Sequence, residues 1–428
     1  MIDSCKRRRT IFIIVTGIIT VVYVIAFTRR GWERKNAGRQ RDPHAVCKEE
    51  MEPWYPEWKK SVKNNTKIIL LYSSWFGDRF WWTMKGQQIY RHFTTCEGPK
   101  NCILTYDRSW LKKADAVVFH GRDLEDHANS FYSGKVLKSL RETVPKCQRW
   151  IFFAHENPDK DPGIYQQYDG LFNWTATFDR RSDIFVPYSS YEENKKISSK
   201  KTDYAKEKTG IVVWAASHCK LIRDKYVTEL QKHISVIVYG KCSKYFKKRG
   251  EPCVHNKNEC TKVLSRYKFY LALENDFCHD YVTEKYWERI QQDVVPVVMG
   301  ANYDKGVAIP GSYIDASEFE SIQKLAEYLL YLDKNDDEYN KYFNFKRRPL
   351  KKYASLFCRI CAKLHEAKLE NPKQIKLSEV YNYKKNCGIY KNKIAKFEKQ
   401  IEDSQSKDGF FGSRLWYKIK SLFFKFGG

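Results

Sequence analysis

Short apolar runs recur along the chain at Ile68–Tyr72, Ala114–Phe119, Arg149–Ala154, Ile211–Trp214, Ser235–Tyr239, Phe269–Leu273 and Val294–Val298. Each has strand length and little charge, as expected of strands buried on both faces. Between them Asn129–Thr143, Arg223–Lys232 and Ser321–Leu332 carry apolar residues at helical spacing. Strands separated by helices predict an α/β fold with parallel sheets. Ile184–Tyr188 reads as an extended segment that closes the first series, and the polar, lysine-rich stretch 191–208 reads as a linker. Two α/β domains are therefore expected, at 66–190 and 209–366.

The densest chemistry lies in residues 263–300. The run Phe269–Leu273 stops at Glu274, Asn275 and Asp276, which are polar and turn-forming. A helix capped by Asp280 or Thr283 follows, then the apolar run at 294–298, closed by Gly300. This is a strand–loop–helix–strand unit. In parallel sheets ligands bind beyond the carboxyl ends of the strands. Glu274, Asn275, Tyr281, Glu284 and Lys285 all fall there, and Tyr281 is expected to share a helix face with Glu284 and Lys285. On the residues alone, such a loop can equally be an ordinary polar turn.

Composition changes the picture at the termini. Ile11–Phe27 is uncharged and close to the shortest length that spans a bilayer. No small-residue cleavage site follows it, so a signal anchor over 10–28 is expected, with a cytosolic tail at 1–9. Basic residues flank both sides and leave its orientation open. Residues 29–65, with Pro43, Pro53 and Pro56, read as a stem. The net charge is +26, but the basic residues form no recognisable nucleic-acid module, so no nucleic-acid partner is expected. The surplus suits an anionic ligand or membrane surface. Thirteen cysteines point to an oxidising compartment. The sequons at Asn64 and Asn173 agree with a lumenal body. A zinc site at Cys242, Cys253, His255 and Cys260 matches no common ligand spacing. Residues 367–428 read as a basic tail. Ile394, Phe397 and Ile401 recur there at helical spacing before an aromatic, basic end, which suits either a membrane-surface segment or a loosely docked one.

Four stretches carry a family resemblance. FYLALEN, DYVTEK and VPVVMG within 269–300 resemble the donor-binding motif of the α1,3-fucosyltransferases, with Leu273 where Phe is usual. QRWIFFAHENP (148–158), DGLFNWTATFDRRSDIFVPY (169–188) and FCRICAKLH (357–365) resemble three further segments of that family. The likeness covers roughly residues 67–366. It implies a GT-B architecture, two domains facing a cleft, with GDP-fucose as donor. Glu156 maps to the general base. Lys285 and Arg223 map to the diphosphate, Glu284 to the ribose or guanine, and Asn275 and Tyr281 to the fucose and phosphates. Asp280 is expected to face away from the phosphates. No metal site is implied; Asp159-Lys160-Asp161 reads as a surface turn, and Mn²⁺ is implied only as a stimulant. In relatives two early cysteines bridge to the late pair, here Cys96 and Cys102 with Cys358 and Cys361. Cys219, Cys242, Cys253, Cys260 and Cys278 crowd the second domain, and the loop Cys278 resembles invertebrate members that act on the N-glycan core. The resemblance thus implies a Golgi type II membrane protein that fucosylates O3 of the innermost GlcNAc of an N-glycan. The alternatives are a Lewis-type enzyme acting on antenna LacNAc or LacdiNAc, and a non-catalytic glycan-binding protein of the same fold.

Overall fold

The computed structural model describes residues 65–407, except 79–80, 82–88, 91–92, 94–95, 126–129, 162, 192–201, 252–257, 301–302, 304–305, 348–354 and 369–371. The expected tail at 1–9, anchor at 10–28, most of the stem, the sequon residue Asn64 and the end beyond 407 lie outside the described residues. Among the described residues no helix is long and apolar enough to cross a membrane.

The first domain is built on β1 (Lys67–Leu71), β2 (Ile89–Tyr90), β3 (Cys102–Thr105), β4 (Ala116–His120), β5 (Arg149–Ala154), β6 (Trp174–Thr177) and β7 (Ile184–Phe185), with helix α1 (Gly134–Arg141) between β4 and β5. The sheet order is β2-β3-β1-β4-β5-β6-β7. All neighbours are parallel except β2 with β3. The central strands β4 and β5 are buried along their whole length, which is why they read as uninterrupted apolar runs.

The second domain contains β8 (Gly210–Ala215), β9 (Val236–Tyr239), β10 (Tyr267–Leu273), β11 (Val295–Met299) and β12 (Ile314–Asp315), in the all-parallel order β12-β11-β10-β8-β9. Helices α2 (Ile222–Leu230), α3 (Glu284–Gln291) and α4 (Ile322–Lys334) connect or flank these strands. The strand order reverses between β8 and β10, and such a switch point opens a crevice beyond the strand ends. Arg223 follows β8, and Glu274 and Asn275 follow β10, so they flank it.

Several boundaries differ from expectation. Helix α5 (Leu356–Glu366) does not belong to the second domain. Its Leu356, Phe357, Ile360 and Leu364 pack into the first domain's core with Ile69, Leu71 and Phe153. Two bridges, Cys96–Cys358 and Cys102–Cys361, fasten it there. The end of the expected linker joins the second domain: Ala205 is in its core and Tyr204 stacks on Phe343. The strands β2, β3, β6 and β12 carry too few apolar residues to stand out in the sequence.

The segment after 371 is not loosely attached as far as it is described. Leu377 and Tyr381 pack in the first domain's core. Helix α6 (Lys391–Lys407) then lies on the second domain, where Phe397 is fully buried against Tyr226 and Phe277. Gln400 donates to the Phe319 carbonyl at 2.6 Å, and the Ser404 hydroxyl to Glu229 at 3.0 Å. Ile394, Phe397 and Ile401 are thus core contacts of a docked helix. The chain passes from the first domain to the second, back with α5 and out again with α6.

Asn173 departs from the expected surface position. It is 3% exposed. Its Oδ1 accepts from the Trp150 amide at 2.9 Å, and its Nδ2 donates to the Lys373 carbonyl at 3.2 Å. The nitrogen that would carry a glycan is covered by the returning chain.

Replacing Phe397 by Ala should lower the unfolding free energy by about 3–5 kcal/mol through the cavity left at the α6 seat. Urea denaturation of the variant against the parent measures this.

Candidate active site

The two domains meet where β5 and β10 end. Beyond Ala154, where pairing with β6 stops, the chain continues as His155-Glu156-Asn157-Pro158. Unpaired carbonyls there need other donors. Tyr188 Oη donates to the His155 carbonyl at 2.7 Å, and Tyr381 Oη to the Glu156 carbonyl at 2.5 Å. The His155 ring stacks on Tyr188 at 4.7 Å between centroids, and its Nε2 donates to the Val186 carbonyl at 2.8 Å.

From the second domain, Tyr281 Oη lies 3.4 Å from Oε2 of Glu156, and Asn275 Nδ2 donates to Asn157 Oδ1 at 3.1 Å. Burial, with Tyr188 and Glu156 nearby, raises the Tyr281 pKa well above the ordinary value. The phenol is therefore a neutral donor toward the Glu156 carboxylate. Tyr281 precedes α3 rather than sharing its face. Asp280 has φ +55°, a left-handed conformation that interrupts any helix begun there. Thr283 is the N-cap, its hydroxyl accepting from the Lys285 amide.

Asp280 turns to the first domain, as a residue facing away from an anion would. Its carboxylate accepts from the backbone N and Nε of Arg180 at 3.1 and 2.8 Å. His279 lies 3.2 Å from Asp280 and 3.5 Å from Asp179. This trio has metal-like spacing, but Arg180 and Arg181 already pair with both carboxylates, so it is a poor fit for a cation. Asp159 and Asp161 accept backbone amides within a surface turn.

Around Lys285 lies the electrostatic centre. Its Nζ is 3.2 Å from Glu274, 3.1 Å from Glu284 and 2.9 Å from Thr283 Oγ1. Glu274 also accepts from the Thr283 amide at 2.9 Å and from Tyr303 Oη at 3.1 Å. Burial is the largest influence on both partners, and both pKa values rise, for different reasons. It raises the Glu274 pKa despite Lys285, whereas for Lys285 the two carboxylates outweigh burial and the pKa rises. The asymmetry follows from geometry: one ammonium serves two carboxylates, and Glu274 lies deeper. The Glu284 pKa is lowered, because Lys285 overcomes a burial penalty of opposite sign. Arg223, 3% exposed, donates to the carbonyls of Leu273 at 2.9 Å and His218 at 2.8 Å, and its Nε has no partner. Burial lowers its pKa.

The expected site residues thus converge: Glu156 from the first domain, and Arg223, Asn275, Tyr281, Glu284 and Lys285 from the second. Three further residues emerge only in three dimensions, Tyr188, Tyr303 and Tyr381, while Glu274, placed at the strand end by the sequence, proves to hold Lys285 and the α3 cap. Glu274 had a signal, a charge directly after a buried strand. Tyr381 had none. The cysteines expected near the donor site also resolve. Cys219 bridges to Cys242, helped by Gly240, where φ is +81° and a Cβ would meet the Ala216 carbonyl at 2.5 Å. Cys278 bridges to Cys387, and Cys260 is also disulfide-bonded. These bridges remove the sulfurs of the considered zinc set, apart from Cys253, which lies outside the described residues.

A carboxylate-bearing loop on one Rossmann-like domain faces a cation-and-carboxylate cluster on another. The chain belongs to glycosyltransferase family 10, the fucosyltransferases. The model of the family's C-terminal part matches residues 205–380, and that of the fucosyltransferase N-terminal part residues 64–189. The chain is 34% identical over 330 residues to glycoprotein 3-alpha-L-fucosyltransferase A of Drosophila melanogaster, covering 74% of this chain and 60% of that protein. It is 34% identical over 278 residues to human 4-galactosyl-N-acetylglucosaminide 3-alpha-L-fucosyltransferase FUT5, covering 63% of this chain and 70% of that protein. Alpha-(1,3)-fucosyltransferase C of Drosophila melanogaster is 30% identical over 331 residues, covering 71% of this chain and 74% of that protein. A crystal structure of an alpha1,3-fucosyltransferase with GDP-fucose superposes with a TM-score of 0.47 at 17% identity, covering 77% of this chain and 98% of that one.

His155 supplies a pH test. Burial lowers its pKa to about 4, below the ordinary ~6.5 of the unfolded chain. The unfolded state binds the proton first, so stability is lost as pH falls from about 6.5 to 4. The stability advantage of the parent over His155→Phe should shrink across that window by on the order of 2 kcal/mol. Denaturation at pH 7, 5.5 and 4 reads it.

Proposed function

We propose that this protein is an inverting α1,3-fucosyltransferase of GT-B architecture, which transfers L-fucose from GDP-fucose to O3 of a GlcNAc residue. The observation that carries the reading is the contact across the cleft, with the Glu156 carboxylate 3.4 Å from the hydroxyl of Tyr281. Tyr281 opens the segment that also supplies Glu284 and Lys285. An acceptor hydroxyl attacks poorly while protonated, and a positioned carboxylate that takes its proton as the bond forms contributes ~10²–10⁴-fold.

In this reading Glu156 removes the proton from O3. O3 forms the new bond to the anomeric carbon from the side opposite the nucleotide. The bond from that carbon to the diphosphate breaks, and its electron pair leaves with GDP. The proton ends on Glu156. Charge grows on the diphosphate, where fixed cations stabilise the transition state most. Lys285 and Arg223 supply them. Lys285 is held by two carboxylates in the free protein, so the donor changes its partners. Glu284, the more exposed of the two, moves to hydroxyls of the nucleotide, and Lys285 is released toward phosphate while Glu274 keeps it aligned. Asn275 and Tyr281 contact the fucose and phosphates.

The acceptor is read as the innermost GlcNAc of an N-glycan. The activity for which the Drosophila relative A is named, that of a glycoprotein 3-alpha-L-fucosyltransferase, and the bridged loop cysteine Cys278 support this. The human relative's name, which specifies a galactosyl-N-acetylglucosaminide, supports the antenna LacNAc acceptor as a second reading. The setting is a Golgi membrane with the body in the lumen, tethered by residues 10–28.

Glu156→Gln should lower kcat ~10²–10⁴-fold while leaving GDP binding by calorimetry intact. Near-normal transfer by the folded variant removes Glu156 from the mechanism. Lys285→Ala should weaken GDP binding and lower kcat/KM together; unchanged affinity for GDP would remove it from the donor site. Assays with GDP-fucose against a core N-glycopeptide and a LacNAc oligosaccharide decide the acceptor: transfer to LacNAc alone would exclude the core reading.

A further inference from the structure

The segment from Ile375 to Cys387 touches both halves of the candidate site. It is first anchored to the first domain. Ile375 and the Gly170–Phe172 backbone exchange hydrogen bonds of 2.9 Å, and Ser378 donates its amide and hydroxyl to Asp169 at 2.9 and 2.7 Å. Leu377 is fully buried beside them. Tyr381, 2% exposed, packs its ring on Phe152 of β5 and on Tyr165, and points its hydroxyl at the Glu156 carbonyl.

The segment then crosses to the donor loop. Tyr383 Oη donates to Asp276 Oδ1 at 3.0 Å. The His279 amide donates to the Asn386 carbonyl at 2.8 Å, while the Asn386 side chain reaches back to Asp179 at 3.3 Å. Cys387 is bonded to Cys278. A short strap therefore runs from the backbone of Glu156 to the loop between β10 and α3, and its far end is covalent.

Glu156 needs such support. It lies outside the strand ladder, its side chain is half-buried, and the Tyr281 hydroxyl is 3.4 Å from its carboxylate. The backbone on either side sets where that carboxylate sits. Of the two carbonyls beyond the strand, Tyr188 holds the first and Tyr381 the second.

We infer that Tyr381 is a positioning residue for Glu156, and that the Cys278–Cys387 bridge fixes the strap, and with it the base, against the donor loop. The inference rests on the reading of Glu156 as the base. Tyr381 touches no reacting atom. It acts through the Glu156 backbone, so its loss alters the chemical step rather than donor binding.

The test uses the full chain, with GDP-fucose and whichever of the two acceptors turns over. Tyr381→Phe keeps the ring and deletes the hydroxyl. Its kcat should fall on the order of tenfold, since small misplacements of a catalytic group cost rate steeply. Its KM for GDP-fucose and its calorimetric GDP affinity should stay at the parent's values. The Cys278→Ser/Cys387→Ser double variant, purified without reductant, should lower kcat with the same unchanged affinity. Adding Tyr381→Phe to it should cost less than the product of the separate losses, because both act through one strap. A parental kcat in Tyr381→Phe overturns the inference, and so does a loss of kcat matched by lost GDP affinity. Glu156→Gln separates the two levels. If it stays active, the base assignment itself fails; if it is inactive while Tyr381→Phe is normal, only the positioning role fails.

Discussion

A single buried carboxylate organises the second domain's half of the site. Glu274 sits at the end of β10 with its side chain fully out of solvent, where an ionised group is tolerated only if its oxygens are occupied. The Thr283 amide and hydroxyl, Tyr303 and Lys285 occupy them. Those same bonds fix the first turn of α3, so the position of Lys285 follows from the need to satisfy Glu274. Removing the carboxylate would leave Lys285 paired with Glu284 alone and the Tyr303 hydroxyl buried without its acceptor. The site's cation is thus built from the inside outward.

The Glu156 side of the site is held differently. Glu156 stands just past the point where the sheet stops, and aromatic hydroxyls take over from strand hydrogen bonds. The domains are fastened through chain crossings as well as side chains: α5 returns to the first domain and α6 to the second. The bridges that hold α5 span 262 and 259 residues. Either alone could contribute about 5 kcal/mol in the chain-entropy picture. They are nested, however. Once one has closed, the other closes only the short arms 96–102 and 358–361, so their contributions do not add.

Much of this was legible in the sequence, for identifiable reasons. β4, β5, β8, β10 and β11 are buried on both faces, so their apolar runs mark them without ambiguity. Arg223, Asn275, Tyr281, Glu284 and Lys285 lie close to strand ends in a recognisable order, and local sequence carries that order. What was not legible depended on distance along the chain. α5 looks like a continuation of the second domain, because nothing in an amphipathic helix states which core it will join. Tyr381 meets Glu156 across 225 residues, and Cys278 meets Cys387 across 109. The periodicity of Ile394, Phe397 and Ile401 gave the helix but not its seat. Of the two caps the sequence offers, Asp280 and Thr283, only Thr283 serves, because the left-handed backbone of Asp280 leaves no trace in hydrophobic pattern.

The burial of Asn173 has a temporal side. Its amide nitrogen is sealed by the carbonyl of Lys373, 200 residues later. A ribosome adding 5–20 residues per second takes on the order of 10–40 s to synthesise that stretch. For that interval the start of β6 is uncovered, and any modifying enzyme that meets the nascent chain has access to the sequon. Once the C-terminal segment arrives, the same residue becomes an interior anchor. Whatever happens at Asn173 is therefore decided by the order of synthesis, before the second domain has received helix α6.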